Sequence, residues 1–153
     1  MMIFLNGCVS VELPNSKTTT AKDVQWSSPG RPFKEIKAAN SDRTWLSSAT
    51  GNTISYLSEC GNSADPSLQI LEAESLSAIS RITPVSAKGF DFNGRAARES
   101  ISSGEVDGVP VQLKLLVFKK NGCNYTLSYG GVLKNFSTEE KYFEDFKKNF
   151  KAP

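Results

Sequence analysis

The side chains able to do chemistry form a short inventory. The 153-residue chain has no histidine. That removes Ser-His-Asp and Cys-His nucleophile systems, His-ligated zinc or iron, and the usual proton shuttle near neutral pH. Carboxylates, Lys, Tyr, Ser and three cysteines remain. Asp91, Glu99, Glu105 and Asp107 fall close to turn signals, where two of them could form a glycosidase pair or a weak cation site. The spacing does not fix their separation, and charges at exposed hairpins more often keep sheet edges soluble. The sequence contains no GxGxxG, phosphate-binding loop, nucleophile elbow or calcium loop. No catalytic, cofactor-binding or metal-ligating residue is therefore assigned, and no cofactor is expected.

The cysteines carry the stronger signal. Leu5-Asn6-Gly7-Cys8 closes a short apolar run and is followed at once by polar sequence. It resembles the bacterial lipobox, with Leu5 three places before the cysteine and Gly7 directly before it. The resemblance implies that Cys8 becomes a diacylated N-terminus, with residues 1–8 the remnant of a signal peptide. Asn6 departs from that pattern, and the apolar stretch is short with no preceding Lys or Arg. If Cys8 carries lipid, Cys60 and Cys123 are left over, an even number suited to an oxidising compartment. Cys60 shares a strand face with Ile54 and Tyr56, and Cys123 begins an alternating run with its side chain on the apolar parity. The two could be separate buried thiols or a bridge, and the bridge is preferred. It would close a loop of about sixty residues, worth roughly 4 kcal/mol. Neither has metal-ligand spacing or a CxxC partner.

The elements that hold these residues follow from period and punctuation. Hydrophobic residues at 39% and charged residues at 22% describe one ordinary globular domain. The 18 Lys+Arg against 16 Asp+Glu leave a net charge of +2 and argue against nucleic acid as a partner. Residues 110–153 are more basic, with eight Lys, among them Lys114, Lys119, Lys120 and Lys134, against four acids. Such a stretch is read as a solvated face. Residues 9–32, rich in Ser, Thr, Pro and Lys, read as a flexible tether, and 33–153 as the domain.

Within the domain, short strands are expected at Phe33–Lys37, Thr44–Ser48 and Asn52–Cys60. A helix capped by Asp65-Pro66 should follow, burying Leu68, Leu71, Leu76, Ile79 and Ile82 and stopping before Thr83-Pro84. Asn93-Gly94, Asp107-Gly108 and Asn121-Gly122 mark the turns of a meander. The chain closes with a helix whose capping box is Ser137-Thr138-Glu139-Glu140 and whose buried stripe is Tyr142, Phe143, Phe146 and Phe150. Val111, Leu113, Leu115 and Val117 line one face of a long strand, and Leu116 and Phe118 the other. This predicts an α+β fold, an antiparallel sheet packed between helices.

The segment Gly89–Arg98 with its Asn93-Gly94 hairpin, the strand Cys123-Asn124-Tyr125-Thr126-Leu127-Ser128-Tyr129 and the helix around Tyr142-Phe143-Glu144-Asp145-Phe146 together resemble the PsbP-like superfamily over residues 33–150. The resemblance implies an α/β/α sandwich and carries over no functional residue. The reading expected from the sequence is a lipoprotein of the bacterial cell envelope, on the periplasmic face of the outer membrane. It is held by lipid on Cys8 and acts as a non-catalytic binding or assembly module for a protein partner. The alternatives are a His-independent hydrolase using carboxylates or a Ser-Lys pair, and a small hydrophobic-ligand domain.

Overall fold

The computed structural model describes residues 18–153. The element order is β1 (Phe33–Ile36), β2 (Arg43–Ser47), β3 (Thr53–Cys60), α1 (Leu68–Ser75), β4 (Ser80–Phe92), β5 (Arg95–Val106), β6 (Val109–Lys120), β7 (Cys123–Val132), a 3₁₀ turn (Leu133–Thr138) and α2 (Glu140–Asn149). All seven strands join one sheet in the order β1-β2-β3-β7-β6-β5-β4, and every neighbouring pair is antiparallel. The expected meander is present. Asn93, Asp107 and Asn121 sit at φ 52°, 50° and 50°, each followed by a glycine of positive φ, the backbone that tight hairpins with right-handed twist require.

Alternation along the strands separates two faces. Trp45, Ile54, Tyr56, Leu116, Phe118, Tyr125, Leu127 and Tyr129 point to one side, where Phe136, Phe143, Phe146 and Phe150 cover them. Phe146 touches the rings of Trp45 and Tyr56, and Tyr129 stacks on Phe143 at 5.8 Å. The aromatic stripe of α2 is thus core, as its spacing indicated. On the opposite side α1 lies over β5 and β6, where Leu71, Leu115 and Val117 are buried. The helical layers are thin. The architecture is a strand-dominated α+β sheet with one short helix on each face.

Several local expectations change. The first helix is capped by Ser67, whose Oγ accepts from the Ile70 amide at 3.2 Å, and it ends at Ser75. Ile82 belongs to β4 and is exposed. Apolar residues flanking a short helix had mimicked a continued helical period. Pro84 sits inside β4, which is an edge strand with register shifts around it, and there a missing amide costs no ladder bond. The capping box of α2 does not form. Its N-cap is Glu139, without a side-chain cap, because Glu139 turns inward and Glu140 reaches Lys114 instead.

Residues 19–32 are part of the folded unit, not a tether. Thr19 exchanges both backbone bonds with Cys60, and Gln25 does the same with Lys151. The Trp26 ring meets Trp45 edge-on at 5.2 Å. The polar composition of this arm hid the one large side chain that docks it.

Packing around Gly131 is tight: a Cβ there would lie 1.9 Å from Asn52 Oδ1. Gly131→Ala is expected to lower stability by about 1–3 kcal/mol, and Phe146→Ala by about 3–5 kcal/mol. Urea unfolding followed by tryptophan fluorescence checks both; a near-neutral Phe146→Ala would place α2 outside the core.

Candidate functional site

Cys60 and Cys123 face each other in the β3–β7 register and are bonded to one another, with Cα atoms 4.0 Å apart. Cys60 spends its backbone N–H and C=O on Thr19. That makes Cys60 and Cys123 a non-hydrogen-bonded pair, the position where opposing strands approach most closely. The C-terminus lies at the same end of the sheet: Asn93 Oδ1 accepts from the Ala152 amide at 2.8 Å, and Lys120 Nζ donates to the Ala152 carbonyl at 3.0 Å. Cys8 lies outside the described residues.

The four carboxylates singled out from the sequence do not converge. Asp91, in β4 opposite Ala96, and Asp107, in the turn after Val106, stand near opposite ends of β5, a twelve-residue strand about 40 Å long. Glu105 approaches Arg81 at 3.8 Å. Glu99 is only 5% exposed and lies between the sheet and α2, where Lys147 Nζ reaches it at 2.5 Å, Lys88 at 3.5 Å and Lys114 at 3.7 Å. Lys114 also donates to Glu140 at 2.9 Å and Glu144 at 2.6 Å, and Lys147 pairs with Glu144 at 2.8 Å. Burial alone would lower the Lys114 pKa. Its hydrogen bonds to Glu144 and Glu140 and the charge of Glu99 outweigh that and leave it raised. Burial would raise Glu144, yet Lys114 and Lys147 hold it below its ordinary value. These ions tie α2 to β5 and β6. Elsewhere Lys119 donates to the Pro66 carbonyl and pairs with Asp65 at 2.6 Å, and Lys120 donates to the Ala152 carbonyl.

A second polar cluster gathers at Glu139, just before α2. Buried Glu139 accepts from Ser47 Oγ at 2.8 Å, from Thr50 Oγ1, and from Asn52 Nδ2 at 3.2 Å. Asn52 Nδ2 also reaches the Asn135 carbonyl and the Tyr129 hydroxyl. Tyr129 donates to the Phe136 carbonyl, and desolvation together with the Glu139 charge pushes its pKa to about 12. This arrangement fixes the β2–β3 turn against the start of α2.

A concavity lies on the opposite face, beside α1. It is a groove of about 430 Å³, open to solvent. Its floor is the outward parity of β3 and β7: Ser55, Leu57, Glu59, Thr126 and Ser128. The C-terminal half of α1 and the turn after it form one wall, through Leu71, Glu74, Ser75, Ser77 and Ala78, and Asn40 borders the groove as well. Ser55 and Ser128 share a 2.6 Å hydrogen bond across the strands. The sequence contained a signal for this site, because Ser55, Leu57 and Glu59 occupy the parity of β3 that faces away from Ile54 and Tyr56. Nothing local showed that α1 would leave those positions uncovered. Among the described residues no group of three His, Cys, Asp or Glu stands close enough to hold a metal ion, and no helix is long and apolar enough to cross a membrane.

No protein-family model and no curated protein matches the chain in sequence. Solved structures do match it in fold. LpqN of Mycobacterium tuberculosis, described as involved in cell envelope biogenesis, superposes with a TM-score of 0.61 at 11% identity, over 91% of this chain and 86% of that one. Cyanobacterial PsbP of Synechocystis sp. PCC 6803 gives 0.59 at 10% identity, over 97% and 99%. A Pseudomonas aeruginosa protein of unknown function, PA94, gives 0.52 at 9% identity, over 87% and 83%. The fold is PsbP-like.

Two outcomes follow from the ion network. Glu99→Gln, which leaves Lys114 and Lys147 facing a neutral amide, is expected to cost about 3 kcal/mol in denaturant unfolding. Stability should stay flat through the neutral range, since no histidine titrates there. Glu144 is depressed in the folded state, so its contribution is present above its ordinary 4.5 and is lost as pH falls through the folded value. Tyr129 and Lys114 are raised, so theirs is present below about 10 and lost as pH climbs through the folded values. Thermal melts from pH 3 to 12 test this shape; a transition between pH 6 and 8 would contradict it.

Proposed function

We propose that this protein is a lipid-anchored module of the bacterial cell envelope, on the periplasmic face of the outer membrane, that works by binding or assembly without catalysis. The observation that carries the reading is the disulfide between register-paired Cys60 and Cys123, a bond that persists in oxidising compartments outside the cytoplasm. The described chain begins beside that disulfide, at Thr18 and Thr19. About ten residues separate Cys8 from Thr19, and they can span at most about 35 Å. A diacyl group on Cys8 would therefore hold the disulfide end near the bilayer. The likeness to LpqN, itself described as acting in cell envelope biogenesis, supports the location at the level of fold.

Within this reading the two helices are the outer layers of a thin α/β/α sandwich, and the partner-binding surface is the groove face beside α1. Asp91, Glu99, Glu105 and Asp107 are dispersed, so these four do not supply the carboxylate pair the hydrolase alternative drew on.

Intact mass of the full-length protein extracted from its native membrane is expected to show a diacylglyceryl adduct on Cys8, and Cys8→Ala should release the protein to the soluble fraction. An unmodified, soluble wild type would overturn the anchor. Thiol counting in denaturant before and after reduction should reveal one reducible pair, Cys60 and Cys123.

A further inference from the structure

One buried hydroxyl is not used by the fold. Tyr125 is 0% exposed, and its hydroxyl finds no hydrogen-bond partner among the protein's groups. The ring stacks on Phe118 at 4.8 Å and meets Phe150 edge-on, so packing accounts for the ring and leaves the oxygen unexplained. A buried donor without a partner costs free energy that a phenylalanine would avoid. Burial, with the charge of Asp42 as the lesser cause, raises the Tyr125 pKa. The hydroxyl therefore keeps its proton and can donate a hydrogen bond.

Tyr125 borders a separate concavity of about 380 Å³ at the disulfide end of the sheet. The strand register places its surroundings. Cys60 faces Cys123 from β3 and Lys120 faces it from β6, so Lys120 is the diagonal neighbour of Tyr125, roughly 7–8 Å away between Cα atoms and within reach of a long side chain. Ser58 faces Tyr125 directly, and its Oγ accepts from the Ala21 amide at 2.8 Å, which brings Thr19 to Lys22 alongside as one wall. The disulfide and the Tyr125 ring supply apolar surface, Lys22 and Lys120 supply positive charge, and among the described residues no Asp or Glu lines the concavity. Lys120 spends one N–H on the Ala152 carbonyl and has two more. Lys22 has no carboxylate partner among the described residues. The Asp42 carboxylate, outside the lining, accepts from Ser58 Oγ.

We infer that this concavity binds a small monocarboxylate with an apolar body: the Tyr125 hydroxyl donates to a carboxylate oxygen, Lys22 and Lys120 balance the charge, and the body lies against the disulfide. The flanking ammonium groups favour a charged acceptor over a neutral one. A compact, strongly hydrated phosphate would leave the apolar floor bare. Because the hydroxyl is closed to solvent, the ligand reaches it as the Thr19–Lys22 wall shifts outward. The inference rests on this concavity alone and depends neither on lipid at Cys8 nor on the groove beside α1.

The test is NMR and calorimetric titration of the full-length protein at low ionic strength with hexanoate, hexanol and hexylamine, which share one chain and differ in the head group. Hexanoate is expected to bind and to move the amide signals of Thr20, Lys22, Asn121 and Cys123, with the alcohol and the amine weaker by roughly tenfold or more, the scale of one charge-assisted hydrogen bond. Tyr125→Phe should weaken hexanoate by roughly the same factor. Its melting temperature without ligand should match or exceed that of the wild type, because the hydroxyl removed had no partner in the fold. Lys22→Gln should also weaken binding, and Lys34→Gln, on β1 and away from the concavity, should leave it unchanged; melting temperatures establish that both are folded. Failure of hexanoate to bind, equal binding of hexanol, undiminished affinity in Tyr125→Phe, or a drop in the melting temperature of that variant would overturn the assignment.

Discussion

The pairing of β3 with β7 is the interaction on which the rest of the structure depends. The chain folds as two locally connected meanders, β1 to β3 and β4 to β7, and only the β3–β7 ladder makes them one sheet. Its partners are far apart in sequence, so its formation carries a loop-closure cost that the hairpins avoid. A slip of one residue would turn Ile54 and Tyr56 away from Phe146 and Phe150 and bring Ser55 and Leu57 into the core. The Cys60–Cys123 bond sits at the end of this ladder and fixes its register covalently.

Everything on the α2 face follows from that register. Side chains from β2, β3, β6 and β7 form a continuous apolar surface only when the two halves are joined in phase, and the aromatic stripe of α2 spans the joint. The ion network at Glu99, Lys114 and Lys147 then holds α2 along its length, and the polar cluster at Glu139 holds its start. Buried charges of this kind contribute little net stability over an apolar equivalent, but they penalise misplacement heavily. They position α2 more than they strengthen its attachment.

The groove is the complement of that design. α1 is eight residues long and covers β5 and β6, so the outward parity of β3 and β7 is left as an open floor. The side of the sheet that stability needs is closed by aromatics; the side with the spare polar groups is open. A binding role placed there leaves the core untouched.

The sequence by itself determined what depends on neighbours along the chain. The Asn-Gly and Asp-Gly turns are legible because a positive φ is a property of two adjacent residues. The α2 stripe and the core-facing parity of both cysteines are legible because helix and strand periods are local. The antiparallel sheet with helices on both faces followed from those elements in order. The tertiary structure alone decided the rest. The docking of residues 19–32 through Trp26, the collection of Glu99, Lys114 and Lys147 into one network, the inward turn of Glu139 that displaced the expected capping box, and the groove between α1 and the β3–β7 floor all join residues distant in sequence. Their separation is set by how sheet and helices pack, and no spacing along the chain encodes it.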